Sequence, residues 1–239
     1  MRGCWVTRQS LVGALRLTIA ITCLIALVGR YFWALGFGAF TATNYFGYLT
    51  IQSNMSFTVV TLIAAGFGLR RAKDPRWLTT LRGIVLTATV TSGVVFAIIM
   101  YLAYAQGTGM DVDWSDHVLH FALPPLAIAE WILTKNRGRV QWRAIPVVLG
   151  YVTAYGIFTI VRGAFVHWYP YFFLDPTQVG SLAEEAALCG VALAFFSVIA
   201  SALIGLNTTR APLRGLVLSL RRSVPLHVAR RVVAISLLR

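Results

Sequence analysis

Three groups of polar residues interrupt otherwise apolar stretches of this chain, and each carries side chains able to do chemistry. The first is Tyr48-Leu49-Thr50-Ile51-Gln52-Ser53-Asn54. On a helix, Thr50 shares a face with Ser53 and Asn54, three and four residues on, while Gln52 points elsewhere. Such side chains can build a site, or they can simply bond their own backbone or a neighbouring helix. The second group is Asp116-His117-Val118-Leu119-His120, in which two imidazoles three apart face the same way. That pair can bind a metal, relay protons or satisfy polar neighbours. Pro124 and Pro125 follow one turn later and should kink the helix and free backbone carbonyls. The third group is Arg162, followed by His167 and the run Trp168-Tyr169-Pro170-Tyr171-Phe172-Phe173-Leu174-Asp175. The guanidinium needs an acidic or carbonyl partner, and Glu184, Glu185 and Asp175 are the candidates. The run after it has the composition of an interfacial aromatic anchor.

The elements that must position these groups follow from composition. Of 239 residues, 58% are hydrophobic and 12% charged, whereas a soluble chain is roughly a quarter charged. Disorder and a soluble domain are both excluded. Six apolar segments, near 11–29, 47–69, 83–105, 116–134, 144–166 and 183–206, each have about the ~20 residues a membrane-crossing helix needs. The expected fold is an all-α membrane protein, a bundle of six transmembrane helices over residues 1–206, with a basic tail over 207–239. Glu130 falls towards the inner end of the fourth segment and is expected to reach that interface; Arg16, near the start of the first, is expected to snorkel.

Charge gives the orientation. Lys and Arg total 21 against 8 Asp and Glu, a net +13. The excess lies in short connectors and the tail rather than on a soluble face, which argues for anionic lipid headgroups as its partner and against nucleic acid. Eighteen of the 21 basic residues fall on the N-terminus, the second and fourth connectors and the tail, while the alternate connectors hold Arg30 with Asp111, Asp113, Asp175 and Glu184. Basic residues mark the cytoplasmic side, so both termini are expected there, in a cell membrane. Arg2 and Arg8 before an apolar stretch also suit a signal peptide, but no small-x-small cleavage site precedes Arg30, and the first segment is expected to stay. Cys4, Cys23 and Cys189 form no patterned set and suit packing. No repeat marks a solenoid or an inverted-repeat transporter. The tail mixes Arg with Leu and Val around Pro212 and Pro225, which suits either an amphipathic segment on the inner leaflet or a disordered basic tail.

With this orientation Thr50, Asn54, His117, His120, Arg162 and Glu185 all fall in the outer third of the membrane, as one shared pocket would require. The run Gly47-Tyr48-Leu49-Thr50, the pair His117 and His120 followed by Leu123-Pro124, and Tyr169-Pro170 before Phe173-Leu174 resemble the androgen-induced protein and androgen-dependent TFPI-regulating protein family. The likeness covers roughly residues 11–206, excludes the tail, and is greatest to bacterial six-helix relatives. It implies a multi-pass threonine hydrolase that cleaves fatty acid esters of hydroxy fatty acids without a cofactor, with Thr50 as nucleophile and His120 as base. The chain departs from the eukaryotic pattern at Asp116, where those proteins have Asn, and at Phe121, where they have Thr.

On this reading His117 or Asp116 orients the His120 imidazole, Asn54 donates to the oxyanion, and Arg162, with Glu185 as its ion-pair candidate, binds a substrate carboxylate. Two other classes fit the same residues. One is a metal-dependent hydrolase with His117, His120 and His167 as ligands and Asp113, Asp116 or Asp175 nearby. The other is a non-catalytic protein that binds or transports membrane lipids through the same pocket. The topology is open to direct test: reporter fusions at Arg76, Met110, Arg139, Gln178 and Gly215 should alternate in, out, in, out, in, and a cytoplasmic signal at Met110 or Gln178 overturns the orientation.

Overall fold

The computed structural model describes residues 2–108, 112–134 and 138–208, with side chains described from Gln9 onward. Asp111, Lys135, Arg137 and the tail beyond Thr208 lie outside the described residues. All regular structure among the described residues is helical. The elements are α1 (Arg2–Ala34), α2 (Ala42–Tyr45), α3 (Leu49–Leu69), α4 (Arg76–Ala105), α5 (Trp114–His117), α6 (Leu123–Leu133), α7 (Ala144–Val166) and α8 (Leu182–Thr208). A π-helical turn, Val118–Ala122, joins α5 to α6, and a 3-10 turn, Phe172–Leu174, lies between α7 and α8.

Five helices, α1, α3, α4, α7 and α8, are long and apolar enough to cross a membrane. The fourth of the six expected segments differs: Trp114–Leu133 is helical throughout but in three pieces, and its longest continuous α-helix has only 11 residues. Side chains such as Phe158, Phe165, Leu182 and Val198 stand 62–81% exposed on α7 and α8. Apolar area on that scale is unfavourable in water and natural against lipid. The main core lies between α1, α3, α4 and α6 and includes Ile19, Cys23, Phe57, Leu86, Leu123 and Trp131. A smaller cluster of Ala88, Val148, Val152 and Phe196 holds α7 and α8 against α4.

α1 and α3 touch backbone to backbone, because a Cβ on Gly68 would lie 2.7 Å from the Gly13 Cα and one on Gly13 would lie 2.5 Å from the Leu69 amide nitrogen. Small residues at a crossing allow this approach, which maximises dispersion contact where the hydrophobic effect between helices is absent.

α3 ends in a tight reversal. Arg71 takes a left-handed conformation, φ 61°, and the amides of Arg71 and Ala72 donate to the carbonyls of Gly68 and Phe67. This is the Schellman closure. With Pro75 opening α4, it leaves a four-residue bend that folds Asp74 under the helix ends. There Asp74 accepts two hydrogen bonds from Arg16, at 2.8 and 2.7 Å, and one from Arg82 at 2.9 Å. Glu130 accepts from Arg16 Nε at 2.7 Å, from Arg82, and from the Thr134 hydroxyl at 2.7 Å. Arg16 also donates to the Ala64 carbonyl at 3.0 Å.

The expectations for Arg16 and Glu130 are therefore corrected. Arg16 is 2% exposed and Glu130 4% exposed, so neither reaches an interface. Two guanidiniums and two carboxylates form a neutral cluster, in which every cation has an acidic partner on another element. Sequence offered one sign of it: Asp74 is the lone acidic residue in an otherwise basic connector.

Removing one member leaves a buried charge uncompensated, which costs about 3–5 kcal/mol. Glu130→Ala should lower the thermal unfolding midpoint in detergent far more than Glu184→Ala, which changes an exposed residue at the α8 N-terminus. Equal midpoints for the two variants would show that the cluster contributes no stability.

Candidate functional site

The residues that sequence reasoning singled out lie at the opposite end of the core from the ionic cluster. Thr50 is the second residue of α3, half-buried at its mouth. His120 lies in the π-helical turn, 6% exposed, with its ring stacked on Phe96 of α4 at 4.0 Å between centroids and 9° between planes. The two do not touch directly. Ser92 of α4 stands between them, its hydroxyl 3.1 Å from Thr50 Oγ1 and 3.3 Å from His120 Nδ1. Behind His120, Asp116 Oδ1 lies 4.0 Å from Nε2 and 3.0 Å from Arg30 Nε. The Arg30 guanidinium in turn covers the Trp33 ring at 4.2 Å. Thr50, Ser92, His120, Asp116 and Arg30 thus form one polar line across α3, α4, the π turn, α5 and α1.

The π turn explains how His120 reaches Ser92. Pro124 and Pro125 have no N–H, so the carbonyls of His120 and Phe121 cannot be bonded in the α pattern. The helix answers by widening for one turn, a distortion common at functional sites. Gly93 receives it, since a Cβ there would lie 2.7 Å from the His120 carbonyl oxygen and 2.8 Å from Pro124 Cγ. The same widening separates the histidines. A π turn advances each residue through a smaller angle than an α turn, so a three-residue step no longer closes on one face. His117 is exposed, with its ring near Phe121 at 5.9 Å. The carboxylate beside the His120 ring is that of Asp116, 4.0 Å from Nε2.

Asn54 is wholly buried one turn below Thr50, but its Nδ2 donates to the Thr50 carbonyl at 3.0 Å, the back-bonding usual for polar residues in helices. What it leaves unpaired is Oδ1, an acceptor, whereas an oxyanion needs a donor. Beside Thr50 the Tyr171 phenol oxygen accepts from the Thr50 side chain and from the Thr50 and Leu49 backbone, which leaves its own O–H free to donate. Burial raises the Tyr171 pKa above that of a free phenol, against the lowering effect of those hydrogen bonds, so the hydroxyl keeps its proton.

Arg162 is half-buried, and its partner is neither Glu184, Glu185 nor Asp175. It donates to Asn44 Oδ1 at 2.7 Å and lies over the Trp168 ring at 5.5 Å. A carbonyl-type oxygen meets its requirement. Local structure takes two of the expected acids: Glu184 accepts from the Gly180 amide at the start of α8, and Asp175 from Thr177 and Gln178 in a turn. Glu185 is buried with Oε1 unpartnered, and no ion pair joins it to Arg162 among the described residues.

His167 ends α7 in a left-handed conformation, φ 50°. It turns the chain so that Trp168 and Tyr171 fold back over α3, where the Tyr48 ring meets them at 5.3 and 6.1 Å. Gly47 leaves room for Trp168, its missing Cβ lying 3.0 Å from that ring, and its carbonyl accepts from Tyr155 at 2.7 Å. The aromatic run is a cover over Thr50 rather than a simple interfacial anchor.

No group of three His, Cys, Asp or Glu side chains able to hold a metal occurs among the described residues. The ligand set of His117, His120 and His167 therefore does not assemble. Sequence reasoning missed Ser92, because one serine in a charge-free apolar segment carries no pattern, and it missed Tyr171 as a partner of Thr50 inside an aromatic run that suits an anchor. Comparison with protein-family models, with curated proteins and with solved structures gives no match.

Filling the seat of the π turn should be costly. Gly93→Ala should destabilise the protein by about 1–3 kcal/mol through overpacking. Gly66→Ala, where a Cβ meets nothing within 4 Å, should be neutral or stabilising. Thermal midpoints of the two variants check this, and a neutral Gly93→Ala would show that the close approach is not needed.

Proposed function

We propose that this chain is a lipid ester hydrolase embedded in the cell membrane by six crossings, Trp114–Leu133 being the fourth, with both termini cytoplasmic. Support for the crossings comes from the distribution of basic residues and from the helical continuity of Trp114–Leu133. Thr50 is the nucleophile and His120 the general base. The observation that carries the reading is that a threonine hydroxyl and a buried imidazole, on different helices, are connected through a single hydroxyl.

A threonine hydroxyl is a weak nucleophile until a base takes its proton, and neutral imidazole suits that task near pH 7. Asp116, held by Arg30, faces Nε2 and favours the tautomer that leaves the Nδ1 lone pair towards Ser92. Tyr171 supplies the hydrogen bond to the developing oxyanion. The substrate class is a long-chain fatty acyl ester entering from the outer leaflet, its chain lying among apolar helices that water does not reach. Arg162 at the mouth binds a substrate carboxylate by releasing Asn44, a planar fork being suited to that group.

Full-length protein in lipid nanodiscs should hydrolyse long-chain esters. Thr50→Ala and His120→Ala should each lower the rate by about 10²–10⁴-fold, the usual range for losing acid–base assistance. Hydrolysis unchanged in both variants overturns the reading, and protein that binds acyl lipids without turnover would place it among lipid carriers.

A further inference from the structure

The hydroxyls of α4 divide into three kinds, one of them Thr89, buried with no hydrogen-bond partner among the described residues. Thr79, Thr80, Thr87 and Thr91 donate to the carbonyl four residues earlier on their own helix. Ser92 does not; it leaves the helix and meets Thr50 on one side and His120 on the other. A serine hydroxyl has one proton to give and two lone pairs to receive with. Ser92 Oγ donates to Thr50 Oγ1 at 3.1 Å and lies 3.3 Å from His120 Nδ1, which can accept the same proton when the hydroxyl turns and the imidazole is protonated on Nε2.

Resting on the hydrolase reading above, we propose that Ser92 is a third catalytic residue, which carries the proton between Thr50 and His120. As Thr50 Oγ1 forms its bond to the ester carbonyl carbon, its proton passes to Ser92 Oγ, and the proton of Ser92 passes to His120 Nδ1. The carbonyl electrons move onto oxygen, where Tyr171 donates. When the intermediate collapses, the bond from the carbonyl carbon to the leaving alkoxide breaks, and the proton on His120 returns to that oxygen. The acyl group is then on Thr50. Water releases it by the same path: its proton goes through Ser92 to His120, and the proton is returned to Thr50 Oγ1 as the acid departs. No electrons are exchanged with any further reactant.

Three features of the geometry favour the relay over direct transfer. His120 meets the hydroxyl of Ser92, and Thr50 is one hydrogen bond further away. The stack of His120 on Phe96 holds the ring plane and resists its swinging towards Thr50. Gly93 and the two prolines hold the backbone of the π turn at the position that makes the Ser92 contact.

The test uses full-length protein in nanodiscs with p-nitrophenyl laurate as the probe. Ser92→Ala should lose about as much rate as Thr50→Ala, on the order of 10²–10⁴-fold. Ser92→Thr, which keeps a hydroxyl, should restore most of it. Because residues that act as one unit are non-additive, Ser92→Ala combined with His120→Ala should be no slower than His120→Ala alone. The wild-type rate in mixtures of light and heavy water should follow a curved proton inventory, since two protons move together; a structural role for Ser92 gives no such curvature. Circular dichroism melts of Ser92→Ala and Ser92→Thr separate lost folding from lost chemistry. Ser92→Ala within about threefold of wild type, with Thr50→Ala and His120→Ala inactive, overturns the relay and leaves the hydrolase reading standing. An acyl group found by mass spectrometry on Ser92 overturns the relay and with it Thr50 as the nucleophile. Full activity in Thr50→Ala overturns both.

Discussion

The arrangement at the mouth of the bundle depends on a buried ionic cluster at its other end. Arg16, Asp74, Arg82 and Glu130 bring a net charge of zero into the core, and each carboxylate bridges both guanidiniums. In a low-dielectric interior the alternatives to complete pairing cost several kcal/mol per ion, so other rotations of α1, α4 and α6 are disfavoured together. Helices are stiff rods rising about 1.5 Å per residue. Ser92 lies ten residues beyond Arg82 on α4, and His120 ten residues before Glu130 along the π turn and α6. Fixing the rods at one end therefore sets which faces meet roughly 15 Å away. A distant electrostatic constraint is thus also a positional one.

Rigid rods alone would not bring His120 to Ser92, and a local defect makes the difference. Two adjacent prolines remove two N–H donors, the helix widens into a π turn, and a glycine on α4 accepts the bulge. Each part has little meaning without the others. Prolines without Gly93 would clash, and Gly93 without the bulge would leave a void. Between them they turn one imidazole inward and its neighbour three residues earlier outward.

The end that holds Thr50 is closed by aromatic rings rather than by charge. The left-handed end of α7 returns the chain over α3, and Trp168, Tyr171 and Tyr48 meet there edge to face. Arg162 belongs to this cover through Trp168 and Asn44. The proposed chemistry needs such a lid, because excluding water strengthens hydrogen bonds to developing charge and protects an acyl intermediate. The pairing of a buried, ion-paired end with a covered, hydroxyl-lined one gives the bundle its polarity.

The sequence alone determined that the chain is helical and apolar enough for a membrane, and it located α3, α7 and α8 to within two residues, while α1 and α4 begin nine and seven residues before the apolar segments that marked them. Those properties depend on composition and on apolar runs, which neighbouring residues along the chain decide. It also picked out Thr50, Asp116 and His120, because polar groups stand out in an apolar segment. It could not determine partners. Arg16 read as a snorkelling residue and Glu130 as an interfacial one, since neither reveals the two residues that neutralise it from other helices. Arg162 was paired by charge with Glu185, while the fold gives it an amide oxygen from α2. Ser92 was invisible because its importance lies in facing two side chains 42 and 28 residues away. The periodicity that placed His117 and His120 on one face failed because the π turn changes the period itself, and only packing against Gly93 decides that it does. Local chemistry sets which segments are helices; who faces whom is set by long-range contacts that no window along the chain contains.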